Sequence, residues 1–111
     1  MSNTTAWLTL VFAGLFEIGW PLGFKISQTD GRFAFGITMA VICMAISGYL
    51  LWTAQKTIPI GTAYAVWTGI GAAGTFAVGV AFFGDASTLM RWFCVALIIA
   101  GVAGLKLATP A

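Results

Sequence analysis

Two stretches of this chain carry no charge at all: 23 residues from Phe33 to Gln55 and 28 from Thr57 to Gly84. A helix needs roughly 20 apolar residues to cross a hydrocarbon core of about 30 Å, so either stretch can span a bilayer. Met1 to Phe24 is interrupted only by Glu17, and Thr88 to Leu107 carries only Arg91 near its start and Lys106 at its end. Four spans therefore fit, at about 5–24, 33–54, 59–83 and 88–107, and they use nearly all of the 111 residues. Strands are a poor alternative, because no period-2 alternation is present and an open sheet edge cannot face lipid. The expected fold is an all-α membrane protein, a single transmembrane domain of four helices in the lipid bilayer.

Composition removes the competing classes. Soluble domains run at about 25% charged residues; here 7% are charged and 60% hydrophobic, too few charges to cover a water-facing surface. The net charge of +2 comes from scattered cations, so no nucleic acid is expected as a partner. With no His, and with Cys43 and Cys94 inside spans, neither a metal site nor a disulfide framework is suggested. The cysteines read as small apolar residues. Gly69-Ile70-Gly71-Ala72-Ala73-Gly74 matches a dinucleotide fingerprint by letters. It lacks the preceding strand and the acidic residue that such a site needs; within a membrane helix such glycines permit close packing or a bend.

The links are short. Gln28-Thr29-Asp30-Gly31 is a turn-forming cluster, Pro59 suits the first turn of the third helix, and Asp85 or Ser87 is the expected N-cap of the fourth. Brief links force consecutive helices to run antiparallel and leave no room for a soluble domain between them. A cleaved signal peptide is not expected, since the first block is long, lacks leading basic residues and contains Glu17. With the N-terminus inside, Lys56 and Lys106 are inside while Lys25, Arg32 and Arg91 are outside. Two against three gives the positive-inside rule almost no excess to act on: either something other than these charges sets the orientation, or the protein inserts both ways. On the fourth span Ala96, Ala100 and Gly104 are spaced by four, with Gly101 beside them. Such small faces let helix backbones approach closely in lipid, and a dimer is the economical use of this one.

Glu17 is the one carboxylate inside a span, near the bilayer midplane. An ionised carboxylate at that depth costs at least about 2.5–3.5 kcal/mol on insertion scales, so the protonated form is favoured. A group so placed can exchange a proton for a cation. The competing reading is a protonated Glu that merely joins helices. Trp20 lies one turn after Glu17 on the same face, Tyr64 and Trp67 share a face of the third span, and the second span supplies Ser47 and Tyr49. Aromatic faces attract cations and a hydroxyl can orient a carboxylate. Trp7, Trp52 and Trp92 lie near span ends, as in an interfacial belt.

Four short spans and the lone Glu17 resemble the small multidrug resistance family of bacterial transporters. The stretch Gly61-Thr62-Ala63-Tyr64-Ala65-Val66-Trp67-Thr68-Gly69-Ile70-Gly71 looks like that family's third-helix signature. With Glu17-Ile18-Gly19-Trp20 it is closest to the guanidinium exporter subtype. The resemblance implies an antiparallel, dual-topology homodimer in the bacterial inner membrane. It also implies proton-coupled antiport of a small guanidinium-type cation, with no cofactor beyond the coupling proton. Residue by residue it implies Glu17 as the shared proton and substrate site, Trp20 lining it, Ser47 orienting the carboxylate, and Tyr64 and Trp67 completing the pocket. Gly14 would leave room for the ligand, Gly69, Gly71 and Gly74 would bend the third helix, and Ala96, Ala100, Gly101 and Gly104 would pack the dimer. Pro21 departs from the subtype, which usually has a small residue there; it denies the Glu17 carbonyl its helical partner. A reshaped pocket mouth that admits substituted guanidines such as guanylurea or biguanide-like compounds is the expectation. The alternatives are a quaternary-ammonium exporter of the same family and a non-transporting subunit that uses Glu17 to bind a partner helix.

Overall fold

The computed structural model describes residues 1–109. It contains four α-helices: α1 (Asn3–Ser27), α2 (Phe33–Ala54), α3 (Ile60–Phe82) and α4 (Leu89–Ala108). Each is long and apolar enough to cross a membrane, with mean hydropathy between 1.4 and 2.0.

Helix α1 outruns the expected span, 5–24, at both ends. Ser2 caps it by accepting the Thr5 N–H at 3.1 Å, which draws the polar Asn3-Thr4-Thr5 into the first turn. Its C-terminal end continues through Lys25, whose charge complements the helix dipole there. Pro21 does not end the helix, which runs six residues further.

Two expected end signals differ. Pro59 is the cap residue of α3 rather than a member of its first turn, at φ −52° and ψ 141°, with its carbonyl accepting from Ala63 N–H. The N-cap of α4 is Thr88, not Asp85 or Ser87: the Thr88 hydroxyl accepts the Arg91 N–H at 3.3 Å. Only the residue immediately before the first turn has its side chain beside the free amides. Ser87 instead accepts from Trp92 Nε1 at 2.8 Å, and Asp85 is left without a capping role.

The helices alternate in direction, as side-chain neighbours demonstrate. Ala6, Trp7 and Leu10 of α1 pack with Ala54 at the end of α2, with Ile58 of the link that follows, and with Ala63 and Val66 at the start of α3. At this same end Lys106 of α4 places its Nζ 5.2 Å from the Trp7 ring centre. At the opposite end Gly23 of α1 meets Gly36 and Ala40 of α2 so closely that an added Cβ would lie 2.6 Å from the Gly36 carbonyl oxygen.

The bundle is therefore dense at the end of Trp7 and Ile58. Toward the other end α1 and α3 part into a groove. Helix α4 lies outside, its backbone against α3 alone, where Gly69 admits Val102 and Ile98. Only Val95 of α4 is buried by the chain itself. Most of the large apolar side chains of α2 and α4 face outward, including Phe33, Val41, Trp52, Phe93 and Ile99, as suits a surface bathed in lipid.

Candidate functional site

Glu17 lies two residues past the midpoint of α1, about 3 Å along the axis at 1.5 Å per residue. Its side chain points into the bundle and is only 9% exposed. Gly71 of α3 makes this possible: a Cβ there would lie 2.5 Å from Glu17 Cγ, so the glycine is the space in which the glutamate rests.

The two carboxylate oxygens differ. Oε1 accepts the indole N–H of Trp20, one turn on. Oε2 is buried and has no hydrogen-bond partner among the described residues. Leaving a buried acceptor unpaired costs about 1–3 kcal/mol, and more for a charged group. Nothing described on α1, α2 or α3 offers that oxygen a hydrogen bond.

Glu17, Trp20, Tyr64 and Trp67 line one cavity of about 370 Å³ between α1 and α3, together with Thr68 and Thr75. The Tyr64 and Trp67 rings lie 5.7 Å apart at 50°. Trp20 meets Phe24 edge-on at 5.5 Å, which fixes its indole beside Glu17. A second cavity of about 240 Å³ reaches the same carboxylate from α2, past Ser47, Gly48 and Leu51. Aromatic walls around one acid are a setting for a flat organic cation.

Ser47 sits beside the site but does not bond Glu17. Its hydroxyl donates to the Ala13 carbonyl at 2.7 Å and accepts from Trp67 Nε1 at 2.8 Å. The reason is position: Ser47 faces the helix turn before Glu17, where the nearest acceptor is backbone. It thus links all three helices and orients Trp67, while Trp20 holds the carboxylate. Gly14 also has a different task. An added Cβ there would lie 2.7 Å from Ile70 Cβ, so this glycine admits α3. Helix α3 runs unbroken through Gly69, Gly71 and Gly74, and each faces a neighbour: Val102, Glu17 and Ile18 respectively. Close approach is what these three provide here.

Pro21, Thr68 and Thr75 join the cavity lining; the sequence reading gave the two threonines no role, although their spacing of seven from one another sets them on the Tyr64 face. On α4, Ala96, Ala100, Gly101 and Gly104 are exposed. Added Cβ atoms at Gly101 and Gly104 would meet nothing within 4 Å, so the small face packs against none of the described residues.

Fold and site together define a class: a small multi-pass membrane protein with a mid-membrane acid in an aromatic-walled cavity. The family model described as Small Multidrug Resistance protein matches residues 5–98. A guanidinium exporter of Yersinia pseudotuberculosis serotype I is 47% identical over 104 residues, covering 94% of this chain and 99% of that protein. Similar proteins include the guanidinium exporters of Escherichia coli K12, 43% identical over 94% of this chain and 98% of that one, and of Salmonella typhimurium LT2, 42% identical over 92% and 96%. The chain belongs to the small multidrug resistance family. It is a transport protein and not an enzyme.

Proposed function

We propose that the protein is a proton-coupled antiporter that exports guanidinium-type cations across the bacterial inner membrane as an antiparallel homodimer. The observation that carries this reading is the unpartnered Oε2 of Glu17 at the wall of an aromatic cavity. A proton satisfies that oxygen, and so does an N–H of a cation; the two compete for one site, and this competition is the coupling. Guanidinium suits the site because it is planar, weakly hydrated, stacks on indole and phenol rings, and offers parallel N–H donors to a carboxylate.

A second copy completes the arrangement. The uncovered small face of α4 supports helix–helix packing between chains, and the near-balanced charge count supports opposite orientations. Two identical chains in unlike conformations then exchange roles to give alternating access. The α3 segment from Gly69 to Gly74 is where we place the bend that distinguishes the two conformations. Pro21 lines the cavity mouth, so guanylurea and biguanide-like compounds belong to the substrate range.

Electrophysiology on solid-supported membranes with the reconstituted protein tests this reading. We expect a guanidinium-evoked current, a smaller one from guanylurea, and little competition from a tetraalkylammonium ion. A tetraalkylammonium current that guanidinium does not suppress would instead favour multidrug export. Absence of any substrate-evoked current would favour a non-transporting subunit. If Pro21→Ala keeps the wild-type substrate ranking, Pro21 has no part in specificity.

A further inference from the structure

Beyond Pro21 and Thr75, which line the Glu17 cavity, the groove between α1 and α3 continues into a further cavity of about 210 Å³. This one opens at the helix ends and holds two charged side chains, Lys25 and Asp85. We propose that Asp85 is a second carboxylate for the cationic substrate, a weak station at the mouth of the groove that leads to Glu17. The proposal rests on the transport reading above and adds a residue to it.

Asp85 is aimed by the backbone. The Gly79 carbonyl accepts both the Phe83 and Asp85 N–H groups, at 3.0 and 3.1 Å, and Gly84 reverses the chain between them at φ +70°. The turn folds Asp85 back over the last turns of α3. Gly79 is buried, and an added Cβ there would overlap the Asp85 carboxylate, with Cγ at 3.1 Å. The missing side chain at position 79 is therefore the notch in which the carboxylate lies, inside the groove wall.

The carboxylate has no other employment. Thr88, not Asp85, caps α4. Among the described residues Asp85 accepts no side-chain hydrogen bond and makes no ion pair, although Lys25 lines the same cavity. Thr75 lies in both cavities, one turn of α3 from Gly71, against which Glu17 rests. The α3 face of the groove thus runs from a surface carboxylate past Thr75 to the buried one.

A transport path needs a station favourable enough to enter and weak enough to leave. Asp85 supplies attraction in a solvated setting, and Lys25 across the cavity limits it. Fields of this kind act on capture, not on the exchange at Glu17, and ionic strength screens them.

The test measures guanidinium-evoked currents in proteoliposomes at low and high ionic strength. Asp85→Asn keeps the shape of the notch and removes the charge. We expect KM to rise about two- to fivefold at low salt, the range of an exposed charge interaction, with an unchanged maximal rate and a difference that fades at high salt. Lys25→Gln, which leaves the α3 turn untouched, is expected to shift KM the opposite way, and it carries the test if Asp85→Asn does not fold. The idea is overturned if Asp85→Asn leaves KM unchanged, if its effect is independent of salt, or if both variants shift KM in one direction. In those cases wild-type transport still stands. A wild-type protein that gives no guanidinium current removes the transport reading and this station together.

Discussion

A methyl group added at Gly71 has one place to go, and Glu17 occupies it. The Cβ of an alanine would lie 2.5 Å from Glu17 Cγ and 3.1 Å from Glu17 Cβ, whereas carbon atoms rest at about 3.5–4.0 Å. The glutamate must therefore retreat by about 1 Å from the α3 wall. Overpacking of this kind costs about 1–3 kcal/mol, and alanine returns about 0.8–1.0 kcal/mol of helix propensity. The net loss of about 0–2 kcal/mol leaves the helix folded. Binding suffers more. If the shift costs the site one hydrogen bond between charged partners, the loss is about 1.5–3 kcal/mol, or about ten- to hundredfold in affinity at 1.4 kcal/mol per decade. Calorimetric titration of guanidinium into purified Gly71→Ala, beside thermal unfolding of the same sample, reads both quantities. Gly61→Ala is the control, since an added Cβ there meets nothing within 4 Å. Gly71→Ala that binds within twofold of wild type would refute the claim that this contact sets the carboxylate's position.

Other sites give contrasting outcomes. Gly23→Ala drives a Cβ to 2.6 Å from the Gly36 carbonyl oxygen and 2.7 Å from the Ala40 nitrogen. Backbone cannot yield as a side chain does, so α1 and α2 must separate and the melting temperature is expected to fall well below that of Gly71→Ala. Ser47→Ala strands the Trp67 indole N–H and removes the second donor to the Ala13 carbonyl; we expect a stability loss of about 1–3 kcal/mol and weaker guanidinium binding by titration. At Gly101 an added Cβ meets nothing within 4 Å among the described residues, so with Gly101→Leu energy transfer between labelled copies should fall while the far-ultraviolet circular dichroism of the helices is kept.

Much of the fold is legible because hydrocarbon imposes one rule: backbone groups must pair within the span. The charge-free runs from Phe33 and Thr57 mark α2 and α3 for this reason. Caps are harder to read. Ser87 and Asp85 are as good cap formers as Thr88, and only the path of the incoming chain selects among them. At the site, the rarity of a mid-span acid exposes Glu17, and helical spacing brings Trp20 to it. The division of labour between Ser47 and Trp20 is not in the letters, because it depends on which turn of α1 faces Ser47. Gly14 and Gly71 are identical in sequence terms; their neighbours, Ile70 and Glu17, give one a packing role and the other a place in the site.

The central claim is that Glu17 holds either a proton or the cation, never both. It is tested most directly by counting protons released when guanidinium is added to the detergent-purified protein in weak buffer. The account predicts acidification with wild type, apparent affinity that falls as the pH is lowered, and neither effect with Glu17→Gln. Guanidinium binding by wild type without proton release, or undiminished binding by Glu17→Gln, would contradict it.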